Sequence, residues 1–232
     1  MKIYAISDLH LSINNPKPMD IFGAKWDNYV ENICADWRGK VSADDIVLIA
    51  GDISWAMAFE DAIPDLEFIG ALPGHKVILR GNHDYWWKSI SAVRGALPKG
   101  MYAVQNDAVR IGGCVICGSR GWTVPETEGV YESEHDKKIY LRETERLKLS
   151  LQAALKIKHE GDRAVCMTHY PPFNLKLEDS DYTRLIGGFG IEACVYGHLH
   201  GYNTRKAHVI VKDGTKYVLS SCDLTGNKLV EI

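Results

Sequence analysis

The side chains able to do chemistry stand at the ends of apolar runs. The first run, Lys2 to Ile6, closes on Asp8 and His10; Ile46 to Ala50 closes on Gly51 and Asp52; His75 to Leu79 closes on Asn82 and His83. Two later runs, Arg163 to Thr168 and Glu192 to Tyr196, close on His169 and on His198 with His200. Mixed carboxylate, carboxamide and imidazole donors suit borderline divalent cations (Mn, Fe, Zn, Co or Ni) better than calcium or an all-thiolate site. Asp8, His10, Asp52, Asn82, His169, His198 and His200 are too many for one catalytic ion with open positions. They are about right for two. Two ions roughly 3.5–4 Å apart need a bridging carboxylate, and Asp52, alone at the end of its run, is the candidate.

Each ending taken singly has an ordinary explanation. An Asp after a strand also serves as a turn former or helix cap. Asp8 and His10, spaced i, i+2, point the same way in an extended segment. Five such endings matter because a parallel-rich sheet gathers them along its carboxyl edge, where ligands bind in open α/β sheets. The apolar runs themselves read as strands buried on both faces. Gly51 permits φ > 0 just before the carboxylate is delivered.

Between the strands, helical spacing predicts helices over about Trp26–Trp37, ended by Gly39, and about Phe59–Ile69, with Pro64 inside it. A short helix is predicted from Trp86 and Trp87 to about Gly95, and a long one from Glu134 to Lys158. The long helix shows Leu141, Leu147, Leu151, Ala154 and Leu155 near one face, with its charged residues as the solvated side and a Glu134–Lys138 pair. Tyr102–Val104 reads as a further strand, and Val109–Ile111 with Cys114–Cys117 as a hairpin. Cys114-x-x-Cys117 is then a pair of buried strand thiols rather than a metal or redox motif. The stretches holding Asn14, Asn15, Pro16 and Pro18 and running from Gly118 to Gly129 read as loops. So does the stretch from Tyr170 to Gly190, with one helical turn. The tail from Ala207 to Ile232 reads as a closing hairpin turning at Asp213-Gly214.

The 232 residues suffice for a substantial core, and with no linker, repeat or low-complexity tract they read as one domain, 1–232. A net charge of -3 argues against nucleic acid or a membrane surface as the partner. No stretch approaches the roughly 18 apolar residues of a membrane span. The six cysteines sit mostly in apolar runs and suit reduced, buried thiols, so the cytoplasm is the expected compartment.

The series Asp8-x-His10, Gly51-Asp52, Gly81-Asn82-His83-Asp84, Thr168-His169 and Gly197-His198-x-His200 resembles the signature of the calcineurin-like metallophosphoesterases, in that family's order. The resemblance implies an α/β fold, a four-layer α/β/β/α sandwich, with a two-metal centre that hydrolyses phosphate esters by attack of a metal-bridging hydroxide. It assigns Asp8, His10, Asp52 and His200 to one ion and Asp52, Asn82, His169 and His198 to the other. His83, beside the ions, would steady the phosphoryl charge or protonate the leaving oxygen.

One branch, the protein phosphatases, carries Gly-Asp-x-x-Asp-Arg at the second motif, where the Asp orients the catalytic His and the Arg grips phosphate. Here Trp55 and Ala56 stand in those places, so no orienting partner for His83 is evident. Arg80, Arg120, Arg184 or Arg205 could restore the missing grip. Trp55, Trp86 and Trp87 lie close to metal motifs and either wall the site or pack in helix faces. Tyr170 and Arg184 are further candidates for substrate contact. The expected substrate is a small phosphate ester, a phosphodiester or nucleotide-like compound, with phosphomonoesters as the alternative. A non-catalytic scaffold on the same fold is the alternative of another class, and it would tolerate lost ligands that this chain retains.

Overall fold

The computed structural model describes residues 1–14, 16–201 and 208–232; Asn15, Arg205 and Ala207 lie outside the described residues. In chain order the elements are β1 (Ile3–Ile6), α1 (Tyr29–Lys40), β2 (Ile46–Ile49), α2 (Phe59–Gly70), β3 (His75–Ile78), α3 (Ile90–Ala96), β4 (Met101–Ala103) and β5 (Ala108–Ile111). Then follow β6 (Cys114–Ser119), α4 (Glu134–Ile157), β7 (Arg163–Thr168), α5 (Asp181–Gly188), β8 (Ala193–Tyr196), β9 (Val209–Lys212), β10 (Thr215–Leu219) and β11 (Val230–Glu231).

The strands alternate between two apolar layers because successive side chains point to opposite faces. Ile3, Ala5, Ile46 and Leu48 turn inward to meet Cys114, Ile116, Val165 and Met167 of the other sheet. Tyr4, Ile6, Val47 and Ile49 turn outward and are covered by Ile33 and Trp37 of α1 and Leu66 and Ile69 of α2. On the far side, Val115, Cys117, Ala164 and Cys166 are covered by Leu147, Leu151 and Ala154 of α4 and by Tyr182 and Ile186 of α5. The result is the expected α/β/β/α sandwich. One sheet has the order β11-β1-β2-β3-β4, parallel except for β11. The other has the order β5-β6-β7-β8-β10-β9, parallel except for its two edges. Parallel strands leave their carboxyl ends on one edge, and that edge carries the metal motifs.

Several local expectations are corrected. α1 begins at Tyr29 because Asn28 adopts a left-handed φ of 49°, so Trp26 sits on a separate 3-10 turn. Gly39 lies inside the last turn of α1, which the Asp36–Lys40 ion pair spans at 2.8 Å. α3 starts only at Ile90, where Ser89 caps it, and leaves Trp86 and Trp87 in the preceding turn. The polar stretch before Gly190 holds a full helix, α5, opened by a capping box of Ser180 and Thr183. On α4 the buried stripe is Ile139, Tyr140, Glu143, Leu147, Ser150, Leu151 and Ala154, while Leu141 and Leu155 face solvent. Glu143 is thus not on the solvated side, and Glu134 pairs with Lys137 rather than Lys138. The closing hairpin also extends a sheet, since β10 runs parallel beside β8, and β11 returns to pair with β1.

Cys114 and Cys117, three apart on a strand, point to opposite faces and enter different layers, so they cannot share one ion. All six cysteines are buried and unpaired. Among the described residues no helix is long and apolar enough to cross a membrane.

Candidate metal centre

The seven side chains named from the sequence converge at the carboxyl edge of the two sheets. Asp8 and His10 do not continue β1 as extended residues; their φ angles are 59° and 45°, and Asp52 and His198 are left-handed too, at 51° and 71°. Asp and His tolerate this region better than most residues, at a cost of order 1–3 kcal/mol each. Hydrogen bonds hold the strained backbone in place, Asp8 N–H to Gly51 O and His10 N–H to Asp52 O, both at 3.0 Å. The motifs therefore lock one another, and the carboxylates and imidazoles are aimed by turns rather than by strand pleat.

Asp52 lies at the middle. Its Oδ1 accepts the His83 backbone N–H at 2.8 Å. Its Oδ2 is buried without a hydrogen-bond partner, 3.8 Å from His10 Nε2 on one side and 3.5 Å from His169 Nε2 on the other. An orphaned carboxylate oxygen between two imidazoles is what a bridging ligand looks like before cations arrive. Asp8, His10 and His200 offer donor atoms within 4.8 Å of one another, and so do Asp8, Asp52 and His169. Asp8 belongs to both groups, but its oxygens already accept from Ser7 Oγ and the His198 N–H. Asp52 Oδ2 is the uncommitted one.

The second cluster makes the same case by lone pairs. His169 Nδ1 lies 2.9 Å from the Ala50 carbonyl, which can only accept, so the proton sits on Nδ1 and Nε2 carries a lone pair. That Nε2 faces Asn82 Oδ1 at 2.6 Å, and His198 Nδ1 lies 2.9 Å from the same oxygen. Two acceptors held that close call for a cation between them. On the other side His10 Nε2 and His200 Nε2 are 3.3 Å apart, with Asp8 Oδ1 3.4 Å from His200 Nε2.

The titration of these groups follows from burial. Burial depresses His10 and His169 to about 3 and His198 to about 4, so the rings are neutral and ready to ligate. Burial, reinforced by the carboxylates of Asp84 and Asp8, pushes Asp52 up to about 9. His200 is the exception. Burial works against its charge, but Asp223 and Asp8 outweigh it and lift the ring to about 10. Cations of higher charge would take over that role by displacing the protons.

A model of the calcineurin-like phosphoesterase family matches residues 1–202. The chain belongs to that family. It is a metal-dependent phosphohydrolase, and its family works with a dinuclear metal centre. No curated protein matches the chain by sequence. Among solved structures, TT1561 of Thermus thermophilus is similar at 13% identity and a TM-score of 0.62, over 99% of this chain and 97% of that one. The phosphopantetheinyl hydrolase of Mycobacterium tuberculosis is similar at 13% identity and a TM-score of 0.56, over 100% and 95%. A protein of unknown function from Aquifex aeolicus, AQ665, is similar at 15% identity and a TM-score of 0.51, over 99% and 95%. Identities this low speak for the fold.

Among the described residues no carboxylate orients His83. Its Nδ1 is buried without a hydrogen-bond partner, and the ring is held instead by Trp55 and Tyr85, at centroid distances of 4.8 and 6.1 Å. Trp55 also stacks on His10 at 4.5 Å. Trp86 and Trp87 do not wall the site; both are buried in the core, donating to Asp84 Oδ1 and Gln105 Oε1. Their place is taken by Trp26, whose ring lies 6.0 Å from His10 and 5.8 Å from His200. Tyr170 packs on His198 at 4.1 Å. Arg184 is paired with Glu128 and Asp181 and lines another cavity.

Sequence reasoning gave no role to Asp84, quoted in the third motif, and missed Asp223. Asp84 accepts from the backbone N–H groups of Ile53, Ser54 and Gly81, tying the second motif loop to the third. Asp223 accepts from Gly201 N–H and lies 3.1 Å from His200 Nδ1, which sets that ring's orientation. The signal for Asp223 was available, since it follows the apolar strand Tyr217-Val218-Leu219 just as the other acids follow theirs.

The glycine before Asn82 has a steric purpose. A Cβ at Gly81 would lie 2.1 Å from Asp52 Oδ1 and 2.2 Å from Asp52 N. Gly81→Ala is therefore expected to lose about 1–3 kcal/mol of stability together with bound metal. Melting curves and metal analysis check this, and a wild-type value in both would refute the close approach.

Proposed function

We propose that this phosphoesterase favours phosphodiesters of flat or apolar alcohols, nucleotide-like esters above all. The observation that carries this is a cavity of about 690 Å³ opening on His10, His83 and His200 and walled by Met19, Phe22, Trp26 and Trp55. Among the described residues its lining holds one lysine, Lys25, and no arginine. Ala56, which replaces the phosphate-gripping arginine of the protein phosphatases, is buried in the core. A monoester brings two negative charges and a diester one, so a site without a guanidinium suits the diester. The indole walls suit a planar or apolar leaving group.

In this reading Asp8, His10, Asp52 and His200 hold one ion and Asp52, Asn82, His169 and His198 the other, both drawn from Mn, Fe, Zn, Co and Ni. When bound, the pair supplies Lewis-acid polarisation of the phosphoryl oxygens and a source of hydroxide near neutral pH. His83 stands at the cavity side of the cluster, half-buried, and donates its proton to the departing oxygen. Burial, then the nearby His200, lowers its pKa in the free protein. A bound anionic ester raises its proton affinity when the acid is needed. Residues 1–232 act as one catalytic domain in this account, and six buried free thiols favour a reducing compartment such as the cytoplasm.

A screen under each metal tests the preference. We expect kcat/KM for an aryl or nucleotide phosphodiester to exceed that for a phosphoserine peptide at least tenfold, about 1.4 kcal/mol. Equal or better hydrolysis of the peptide would put the phosphomonoesterase reading first.

A further inference from the structure

Beside the metal centre, on the same edge of the fold, lies a second cavity of about 200 Å³. Arg80 follows β3, Asn106 follows β4, Arg120 follows β6, and Arg142 and Arg146 reach in from α4. Each sheet thus contributes the strand end next outward from those bearing the metal motifs, β4 in one and β6 in the other, and β3 adds Arg80 from its own metal-bearing end. The two sites share backbone, since the Arg120 carbonyl accepts the N–H groups of His169 and Tyr170, both at 3.0 Å. Arg80 stands two residues before Asn82.

The charges in this cavity do not balance. Four guanidinium groups line it, with one carboxylate, Glu143, among the described residues. Glu143 Oε1 meets Arg146 at 2.7 Å, Arg142 at 3.4 Å and Arg120 at 3.8 Å, and its side chain is 1% exposed. Among the described residues no ion pair or side-chain hydrogen bond holds Arg80, and the Nε atoms of Arg80 and Arg120 are buried without partners. Arg120 is further fixed by the Trp122 ring, 5.0 Å from its Cζ. Buried cations are normally paired, and forked guanidinium donors match tetrahedral oxyanions bidentately.

We propose that this arginine cavity is a second anion site, built to bind a phosphate-type oxyanion beside the catalytic centre. The oxyanion is either a further phosphate carried by the substrate or free inorganic phosphate. The proposal stands apart from the diester preference, because binding is read without turnover.

The probe is inorganic phosphate, titrated calorimetrically into the metal-loaded enzyme. Two classes of phosphate site are expected in the wild type. The double variant Arg80→Gln with Arg142→Gln should lose one class, its affinity falling at least tenfold, with metal content kept. Arg142→Gln alone, at a half-exposed position, should weaken the same class if the double variant folds poorly, and Arg142→Lys should restore part of it. A second arm compares bis(p-nitrophenyl) phosphate with a dinucleotide pyrophosphate. A tenfold selective loss of kcat/KM for the pyrophosphate in the variant assigns the anion to the substrate. An unchanged ratio with phosphate binding lost assigns it to free phosphate. Wild-type phosphate stoichiometry and affinity in both variants would overturn the site and leave the arginines as a clamp holding α4 to the sheets.

Discussion

Asp52→Ala is expected to strip both ions from the protein at once and to abolish hydrolysis. Metal analysis of the wild type, purified without chelator, should approach two transition ions per chain, and the variant should approach none. The reason is geometric. Asp52 Oδ2 is the buried, uncommitted oxygen between His10 and His169, within 3.8 Å of both reactive nitrogens. Removing it leaves each half of the cluster without its shared anion. A loss of at least 10³ in kcat/KM, about 4 kcal/mol, is expected. A wild-type stoichiometry firmly at one with full activity would overturn the two-ion reading. A variant keeping one ion would make Asp8, present in both donor groups, the bridge instead.

His83→Ala should separate chemistry from binding. The variant keeps the backbone N–H that holds Asp52 Oδ1, so metal content and fold should survive. What it loses is a positioned imidazole whose Nδ1 serves no structural partner. A fall of roughly 10²–10⁴ in kcat is expected, the usual scale for general acid catalysis. The loss should shrink for p-nitrophenyl esters, whose leaving group needs no proton, and stay full for alkyl esters. Loss of metal on this substitution would mean that His83 is a ligand. Because aromatic rings, not a carboxylate, hold the imidazole here, Trp55→Ala should reproduce part of the kcat defect, with metal content measured alongside since Trp55 also stacks on His10.

What the sequence by itself determined was which candidate ligands stand at strand ends, and the frame that presents them. Apolar runs of period-two strands, each followed by glycine or a short turn and then Asp, Asn or His, are local facts. Runs apolar at every residue predict strands covered on both faces, as Ile3 and Tyr4 are, while the four layers followed only from the resemblance to a known family. Tertiary structure decided everything that depends on which distant groups meet. Asp8 and His10 are aimed by left-handed turns that only bonds to Gly51 and Asp52, far along the chain, can hold. Trp26 reaches the site on a 3-10 turn set apart from α1 by the left-handed Asn28, while Trp86 and Trp87, in the turn before α3, sink into the core. Glu143 reads as one more solvated charge on a long helix, yet it is buried, since the two sheets bring Arg120 and α4 against the same edge. Periodicity reports which face of an element is apolar. It carries no information on which charges from separate strands will share one cavity, and there the fold alone decides.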